Sequence, residues 1–334
     1  SLAFPHRQFR SGQRDIAELV YKCIDQRGQL ALEAPTGIGK TAAVLFPAIK
    51  ALGTDKHDRI VFLTAKSVGR NTAEDAMTTF SSSGYRGSAM SLSAKDKVCL
   101  SPGKACHGQE CPYALGYYDK LPEAMLAAIE LPLLRREELD GLARRYEVCP
   151  YQLALDLLPW IDVLIGDYHH LYGPTGILAN SVASAEHRWT ALLDEAHNLP
   201  SRARGMFSVH LHKASLLEAK SVSPKPLVSS LNRVNRLLLG LQKETWLESD
   251  FDSRSELPSD LLESLRRFIA DCAQVQAADA SALHRAPILL DFYFNVLQFL
   301  AVTEVWGDDF RFEMTKGSAK QSLSLFLNCL DPAR

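Results

Sequence analysis

Apolar residues follow two alternating patterns along residues 1–200. Short apolar runs of strand length occur at 29–32, 59–64, 162–168 and 189–193. Between them, apolar residues recur three and four positions apart, as in Ile16, Leu19, Val20, Cys23 and Ile24. The first pattern predicts buried strands and the second predicts helices with one buried face. Strands that alternate with helices predict an α/β fold, a parallel sheet with helices on both faces.

Beyond Pro200 the pattern is almost purely helical. Three apolar stripes lie at 227–241, 261–269 and 288–306. They predict a helical domain, and a last apolar run from Leu323 to Leu330 closes the chain. Residues 201–243 carry eight Lys and Arg against one acid, Glu218. This basic run could face a phosphate backbone, although solvated helix faces are the more common reason for such a run.

The segment after the first apolar run has the chemistry of a phosphate-binding loop. It is Ala34-Pro35-Thr36-Gly37-Ile38-Gly39-Lys40-Thr41, with Ala34 where the first glycine is usual. Gly37 and Gly39 leave room for backbone N–H groups to point at an anion. Lys40 would reach the β- and γ-phosphates of ATP, and Thr41 would ligate Mg²⁺. The alternative is a glycine-rich turn that precedes a helix.

Arg10 and Gln13 lie one turn apart near the start of the first predicted helix. A glutamine amide both donates and accepts hydrogen bonds, which suits the edge of an adenine. A solvated helix start has the same composition.

The run at 59–64 ends in Thr64, which Lys66 and Ser67 follow closely. Because ligands of such sheets lie beyond the carboxyl ends of the strands, these side chains are placed to contact a polyanion. An N-cap by Ser67 is an equally good interpretation.

Two acids follow the apolar run at 189–193. This run delivers Asp194 and Glu195 to the same edge as the phosphate-binding loop. Asp194 would hold Mg²⁺, and Glu195 would orient and deprotonate the attacking water. The alternative is that both acids cap the following helix.

Four cysteines lie in a loop-rich region: Cys99, Cys106, Cys111 and Cys149. The gaps between them are six, four and thirty-seven residues. Zinc sites favour paired cysteines two to four residues apart, whereas an iron–sulfur cluster takes ligands from separated loops. The spacing favours iron–sulfur over zinc, and unrelated free thiols are the remaining alternative.

The bulk composition sets few limits on function. The chain has 334 residues, 46% apolar content and a net charge of −2, typical of an ordinary globular chain of two or three units. The charge balance neither indicates nor excludes a nucleic-acid partner. Since no apolar run has the length of a membrane span and no signal segment opens the chain, we expect a cytoplasmic location, nucleoid-associated in a bacterium, and no membrane partner.

Taken together and in order, these motifs resemble the XPD/DinG group of iron–sulfur helicases of superfamily two. The resemblance rests on Arg10 and Gln13, the loop at 34–41, the segment at 63–67, the repeated Cys-Pro-Tyr at 111 and 149, Asp-Tyr-His-His at 167–170 and Asp-Glu-Ala-His at 194–197. It covers residues 4–200 closely. It implies an ATP-dependent DNA helicase that moves 5′ to 3′ on single-stranded or forked DNA, in repair or replication. It also adds His197 to the catalytic residues.

The resemblance further implies a RecA-like sheet interrupted by a cluster domain. Motor domain 1 would span residues 1–94 and 157–204, with an iron–sulfur insertion at 95–156 and a helical arch at 205–334, of which the last residues are candidates for a return to the motor domain. The four cysteines would bind a 4Fe-4S cluster. Single-stranded DNA would pass Lys95, Lys97 and Lys104 and stack on Tyr113, Tyr117 or Tyr118.

Later helicase motifs, including the arginine finger of a second motor domain, are missing from these 334 residues. We therefore expect the N-terminal motor half of a longer helicase, whose partner is a second motor domain of the same polypeptide. The alternatives are a nucleotide- and DNA-binding module without turnover, because such an arginine is commonly worth roughly 10³–10⁵ in rate, or a RecA-like ATPase that contains zinc.

Overall fold

The computed structural model describes residues 2–35, 37–174, 176–184, 186–245, 250–316 and 323–333. The chain divides into two compact units. Unit 1 comprises Ser1–Pro102, Cys106–Leu171 and Gly176–Leu199, and unit 2 comprises Gly103–Ala105, Tyr172–Thr175 and Pro200–Arg334. None of the described helices is long and apolar enough to cross a membrane.

Unit 1 is built on a sheet of five parallel strands in the order β3-β2-β4-β1-β5. The strands are β1 (Arg59–Leu63), β2 (Ala89–Ser91), β3 (Leu133–Leu134), β4 (Val163–Gly166) and β5 (Trp189–Leu193). Leu63 at the end of β1 is in register with Gly166 of β4 and Leu193 of β5. The residues that follow these three strands therefore meet at one edge of the sheet. The predicted α/β fold with a parallel sheet is confirmed.

The first two hundred positions contain the predicted helices, with ends shifted by a few residues, and several short helices that the apolar periodicity did not predict. The helices are α1 (Gln13–Asp25), α2 (Lys40–Leu52), α3 (Ser67–Ser82), α4 (Lys95–Val98), α5 (Tyr117–Ile129), α6 (Arg136–Tyr146), α7 (Pro150–Leu157), α8 (His169–Tyr172), α9 (Ala179–Ala183) and α10 (Leu199–Met206). Phe62 of β1 and Phe80 of α3 are among the largest fully buried side chains. Such a side chain contributes roughly 1.5–3 kcal/mol by leaving water.

The strand predicted at 29–32 is wrong. These residues are described, but they belong to neither sheet. Leu30 and Leu32 are 42% and 40% exposed. A short apolar run becomes a buried strand only where a neighbouring strand pairs with its backbone, and no described strand pairs with this one.

The region predicted as an insertion, 95–156, is not wholly separate from the sheet. β3 lies inside it and pairs in parallel with β2, so it forms an edge of the sheet. Helices α4 to α7 make up most of the rest. Most of the region belongs to the same compact unit as the sheet.

Unit 2 combines helices with an antiparallel sheet. Its long helices are α11 (Lys213–Val222), α12 (Lys225–Thr245), α13 (Ser259–Ala278) and α14 (Pro287–Glu304). Its strands are β6 (Val209–His212), β7 (Phe251–Arg254), β8 (Phe310–Lys316) and β9 (Leu323–Cys329), in the order β6-β9-β8-β7. The predicted helices are present, but the purely helical arch prediction is incomplete because it lacks these strands. The last apolar run pairs within unit 2.

Candidate active site

The phosphate-binding loop forms an open backbone turn before α2. Gly37 and Gly39 have φ of 85° and 83°, a left-handed conformation that strains residues with a side chain. A Cβ at Gly37 would meet no described atom within 4 Å, so the space beside this glycine is open. α2 begins at Lys40, and its first N–H groups and positive dipole end face this turn. The described part of the loop therefore fits an anion, while Thr36 lies outside the described residues.

Two side chains at the start of α1, those of Arg10 and Gln13, hydrogen-bond to the backbone of the loop. Arg10 donates through its guanidinium to Gly37 O, and Gln13 Nε2 donates to Gly39 O at 3.3 Å. Gln13 Oε1 accepts from Arg10 N at 3.0 Å. Gln13 is only 3% exposed. Both residues thus contact the phosphate-binding loop, and the contacts of Gln13 are with the backbone of Arg10 and Gly39.

Stacked aromatic rings hold this bracing segment against α2. The Phe4 and Phe9 rings stack with centroids 3.8 Å apart, and Phe4 packs edge-on against Phe46 of α2 at 5.1 Å. Because Phe46 lies on the helix that follows the loop, the aromatic group fixes the position of Arg10 relative to the loop.

Lys40 and Glu195 bring the loop and the acidic segment together. Lys40 Nζ lies 3.6 Å from Glu195 Oε1 and donates to Ala34 O at 3.3 Å. Thr41 follows in the first turn of α2 and is half-buried. His197 Nδ1 lies 3.6 Å from the other Glu195 oxygen, although the His197 side chain is 71% exposed. The predicted Lys40, Glu195 and His197 therefore belong to one cluster.

The backbone of Glu195 has an unusual conformation that separates its side chain from that of Asp194. Its φ is 54°, in the left-handed region, and it is followed by a short 3-10 turn at Ala196–Asn198. Asn198 N and Nδ2 both donate to Glu195 O, at 2.9 and 3.2 Å. A non-glycine residue held in this region carries a conformational cost that other contacts must offset. The hydrogen bonds from Asn198 provide such contacts.

Asp194, which follows β5, is held by groups at the ends of two other strands, β1 and β4. Its N–H donates to Leu63 O at 2.8 Å, and Thr64 Oγ1 donates to Asp194 Oδ2 at 3.1 Å. The phenol of Tyr168, which follows β4, donates to Asp194 O. Sequence reasoning missed the Thr64 and Tyr168 contacts. The residues are separated by 130 and 26 positions, and only the strand order indicates that they meet.

Thr64, predicted to contact a polyanion, is 3% exposed, and its hydroxyl is bonded to Asp194. Lys66 and Ser67 are exposed at the same edge. The N-cap interpretation of Ser67 is wrong, because α3 begins at Ser67, and Lys66 precedes it without a side-chain cap.

The segment after β4 is internally bonded. Asp167 Oδ1 accepts from His169 N at 3.0 Å and pairs with His169 Nδ1 at 2.6 Å. Burial by itself would raise the pKa of Asp167, but these contacts with His169 outweigh it and lower the pKa to about 2. Asp167 N donates to His170 Nδ1 at 2.9 Å, and burial lowers the pKa of His170. The segment is therefore a rigid turn that positions Tyr168.

The four predicted metal-binding cysteines share one neighbourhood. The pKa of Lys95 is raised, first by its hydrogen bond to Cys106 and further by the charges of Cys99 and Cys149. Burial raises the pKa of Cys149, and the charges of Cys106 and Cys111 act in the same direction. Among the described residues, however, no three His, Cys, Asp or Glu side chains form a site for a single metal ion.

The aromatic residues near these cysteines differ in exposure. Tyr118 is 75% exposed. Tyr117 is buried, and its phenol donates to Asp156 at 2.7 Å, so its predicted role in stacking is wrong.

Two family models match the chain. The DEAD/DEAH box helicase model matches residues 12–100, and the DEAD_2 model matches residues 87–216. Together they span 205 of the 334 residues, from the bracing segment at α1 past the Asp194 cluster.

Several curated proteins are similar over part of the chain. The Fanconi anemia group J protein homolog of Gallus gallus is 27% identical over 50% of this chain and 14% of its own length. The XPD helicase subunit of transcription and DNA repair factor IIH from Arabidopsis thaliana is 22% identical over 64% of this chain and 32% of its own. A regulator of telomere elongation helicase 1 homolog from Drosophila yakuba is 21% identical over 62% of this chain and 26% of its own length. The chain thus spans a third or less of each of these three relatives.

Solved structures share the fold. A chain titled XPD_Helicase aligns with a TM-score of 0.57 and 16% identity, covering 96% of this chain and 54% of that one. A chain titled Truncated XPD aligns with a TM-score of 0.59 and 17% identity, covering 95% and 86%. With the matched family models and the clustered motif residues, these findings place the protein: it belongs to the XPD/DinG-like group of superfamily two helicases.

Proposed function

We propose that this chain is part of an ATP-dependent DNA helicase, in which unit 1 binds ATP with Mg²⁺ and couples its hydrolysis to 5′-to-3′ movement on single-stranded or forked DNA. The observation that carries the proposal is the cluster in which Lys40 lies 3.6 Å from Glu195, beside an open phosphate-binding turn. A cation, an oriented acid and inward N–H groups at one sheet edge are what phosphoryl transfer requires.

Each residue of the cluster has a role that its position supports. The N–H groups near Gly37 and Gly39, with Lys40, would bind the β- and γ-phosphates. Thr41 and Asp194 would hold Mg²⁺, which when bound neutralises phosphate charge. Glu195 would orient and deprotonate the attacking water, and His197 would help to orient Glu195.

The DNA part of the proposal rests on exposed groups beyond the strand ends. Lys66 and Ser67 are exposed beside the Asp194 cluster. A basic side chain and a hydroxyl at a helix start suit a phosphate backbone. Tyr118 is exposed enough to stack on a base. The direction of movement and a role in repair or replication are carried over from the family resemblance.

A 4Fe-4S cluster is part of the same proposal. The four thiols share a neighbourhood, as the pKa shifts of Lys95 and Cys149 indicate. This supports a cluster, since each iron of the cube takes its own thiolate. Cys99, Cys106, Cys111 and Cys149 would be the ligands, and zinc is the alternative occupant.

For residues 1–334 by themselves we propose binding of nucleotide and DNA with slow turnover. The family resemblance assigns an arginine of the catalytic site to a second motor domain, and such a group is commonly worth roughly 10³–10⁵ in rate. DNA-stimulated hydrolysis by these residues at a helicase-like rate would contradict this.

The decisive experiment is nucleotide binding by a Lys40→Ala variant, followed with a fluorescent ATP analogue. Lys40 is partly exposed and belongs to no apolar core, so the variant is expected to fold normally and to bind ATP at least about tenfold more weakly. Lys50→Ala is the matched control, because Lys50 is an exposed cation on the same helix. Unchanged affinity in Lys40→Ala would remove this cluster from the nucleotide site.

A further inference from the structure

A hydrogen bond beside the proposed nucleotide site joins Thr64 to Asp194, two residues that belong to different sequence motifs. Thr64 Oγ1 donates to Asp194 Oδ2 at 3.1 Å, and Thr64 is buried, 3% exposed, while Asp194 is half-buried. The Thr64 backbone is fixed as well, since Thr64 N donates to Gly166 O at 3.0 Å as a continuation of the sheet ladder. A β-branched side chain on a fixed backbone has few rotamers. Its hydroxyl is therefore a rigid donor.

The second carboxylate oxygen of Asp194, Oδ1, is available to bind a metal ion. Within the described residues, the contacts of Asp194 involve its N–H, its carbonyl and Oδ2. Oδ1 has no hydrogen-bond partner among them. A carboxylate with one oxygen fixed by a buried hydroxyl presents its second oxygen in a defined direction, which is how outer residues orient the ligands of a metal.

The first turn of α3 packs directly onto this pair. A Cβ added at Gly69 would lie 2.2 Å from Thr64 Oγ1 and 2.7 Å from Asp194 Oδ2. Only a glycine permits this approach, because real Cβ atoms never come so close. Gly69 is two residues from Ser67 and one from Val68, which is 72% exposed. The exposed start of α3, from its N-cap Lys66 to Val68, is thus one van der Waals layer from the Asp194 carboxylate.

We propose that Thr64 is a positioning residue for Asp194, and that the contact of Gly69 with this pair couples the exposed start of α3, residues 66–68, to the orientation of the magnesium-binding carboxylate. The inference rests on the proposed function of the cluster. It adds a route by which a polyanion on the start of α3 alters Mg²⁺ binding at the nucleotide site, through one hydrogen bond and one packed glycine.

The test measures Mg²⁺ rather than turnover. The Mg²⁺ concentration that half-saturates binding of a fluorescent ATP analogue is compared between wild type and Thr64→Val, with Mn²⁺ binding by electron paramagnetic resonance as a second readout. Loss of the hydroxyl should raise the half-saturating Mg²⁺ about tenfold, at the low end for outer residues of metal sites, and leave nucleotide affinity in EDTA unchanged. An unchanged Mg²⁺ requirement in Thr64→Val overturns the positioning role.

Three further variants separate positioning from packing. Thr72→Val removes an exposed hydroxyl of α3 that donates to Val68 O within the helix, and should behave as wild type. Thr64→Ser keeps the donor with less volume and should retain Mg²⁺ binding, so a loss as large as in Thr64→Val would assign the effect to packing and overturn the proposal. Gly69→Ala keeps Thr64 but displaces the pair, and is expected to weaken Mg²⁺ binding like Thr64→Val.

The coupling is tested with an oligothymidylate. It should lower the half-saturating Mg²⁺ of wild type and have no effect on Gly69→Ala, and an equal effect on both proteins overturns the coupling. If wild type shows no Mg²⁺-dependent nucleotide binding, the proposed function itself fails. If wild type does show it and the variants behave like wild type, only the positioning and coupling roles fail.

Discussion

Lys40 Nζ lies 3.6 Å from a carboxylate oxygen of Glu195, and the two side chains have the same partial exposure of 37%. Because both groups are partly solvated, the ion pair by itself contributes at most about 1 kcal/mol. Phosphate oxygens of the proposed nucleotide would compete with Glu195 for the same ammonium group. Because the pair is weak, a bound nucleotide could replace it.

This relationship predicts opposite effects on binding and turnover for Glu195→Gln. Removing the acid takes away a competitor for Lys40 and a charge that repels phosphate, so ATP should bind as tightly as in wild type or more tightly. Hydrolysis should fall by roughly 10²–10⁴ because the general base is lost. Equilibrium binding and single-turnover hydrolysis measure the two effects separately. A variant that loses both in parallel would indicate that Glu195 supports the fold of the loop.

A second prediction concerns Gln13, whose amide is bonded to Arg10 N and Gly39 O. If Gln13 braces the loop, Gln13→Ala should weaken ATP, GTP and inorganic triphosphate alike, by about fivefold for the loss of buried hydrogen bonds. If Gln13 reads adenine, only ATP should weaken. The contacts favour the first outcome. Competition binding with the three ligands decides between them, and Gln8→Ala, at an exposed glutamine of the same segment, is the control.

The third prediction concerns the Arg188–Asp58 pair at the other end of the sheet. Arg188 Nε and a terminal nitrogen donate to the two Asp58 oxygens at 3.0 and 2.7 Å, and Arg188 N donates to Oδ2 at 2.6 Å. The hydrogen bonds from Arg188 hold the pKa of Asp58 well below its ordinary value. Because the folded pKa is depressed, the stabilisation is present above about pH 4 and is lost as pH falls below the ordinary range of an aspartate.

Asp58→Asn should therefore destabilise unit 1 by about 1 kcal/mol at pH 7, discounted for partial exposure. The difference from wild type should shrink as the pH falls below about 4. Urea unfolding at several pH values measures it. Asp25→Asn is the control, since Asp25 pairs with Lys56 through half-exposed groups. A difference that stays constant with pH would show that the charge of Asp58 does not contribute.

The sequence predicted helices best where one face of the helix is apolar along its length and buried. Leu227, Leu231, Val234 and Leu238 form one stripe and are all fully buried on α12. One strand of unit 2 also has a signal in the sequence, because apolar and polar residues alternate at 310–315, and the structure buries every second residue of β8 and β9. That period of two is the pattern of a half-buried strand. The helical interpretation of this region overlooked it.

The chemistry of the site was predictable only in part. Lys40, Asp194 and Glu195 belong to local motifs, and the chemistry of each residue type indicates its role in the motif. Leu30 and Leu32 have the composition of a buried strand, but burial depends on a pairing partner that local sequence does not specify. The bond between Thr64 and Asp194 likewise follows from the adjacency of β1 and β5, a property of the whole sheet.

The last prediction concerns the cysteine neighbourhood. Few large apolar side chains lie between Ala94 and Cys111, so bound metal should supply much of the folding free energy of this stretch. We expect freshly purified protein to be brown, with broad absorbance near roughly 400 nm and about four iron atoms per chain. Cys111→Ser should lose this absorbance, while Cys23→Ser, at a half-buried thiol on α1, should keep it.

The effect of Cys111→Ser on binding distinguishes the role of the proposed iron–sulfur cluster from that of the nucleotide site. Cys111→Ser should lower the affinity for single-stranded DNA far more than the affinity for ATP, because the sheet that carries Lys40 and Asp194 has its own core of buried side chains such as Phe62 and Phe80. Fluorescence anisotropy with a labelled oligothymidylate and the ATP-analogue titration measure the two affinities on the same sample. Colourless protein with stoichiometric zinc on all four thiols would contradict the iron–sulfur assignment, and since neither Lys40 nor Asp194 depends on those thiols, the nucleotide site would stand.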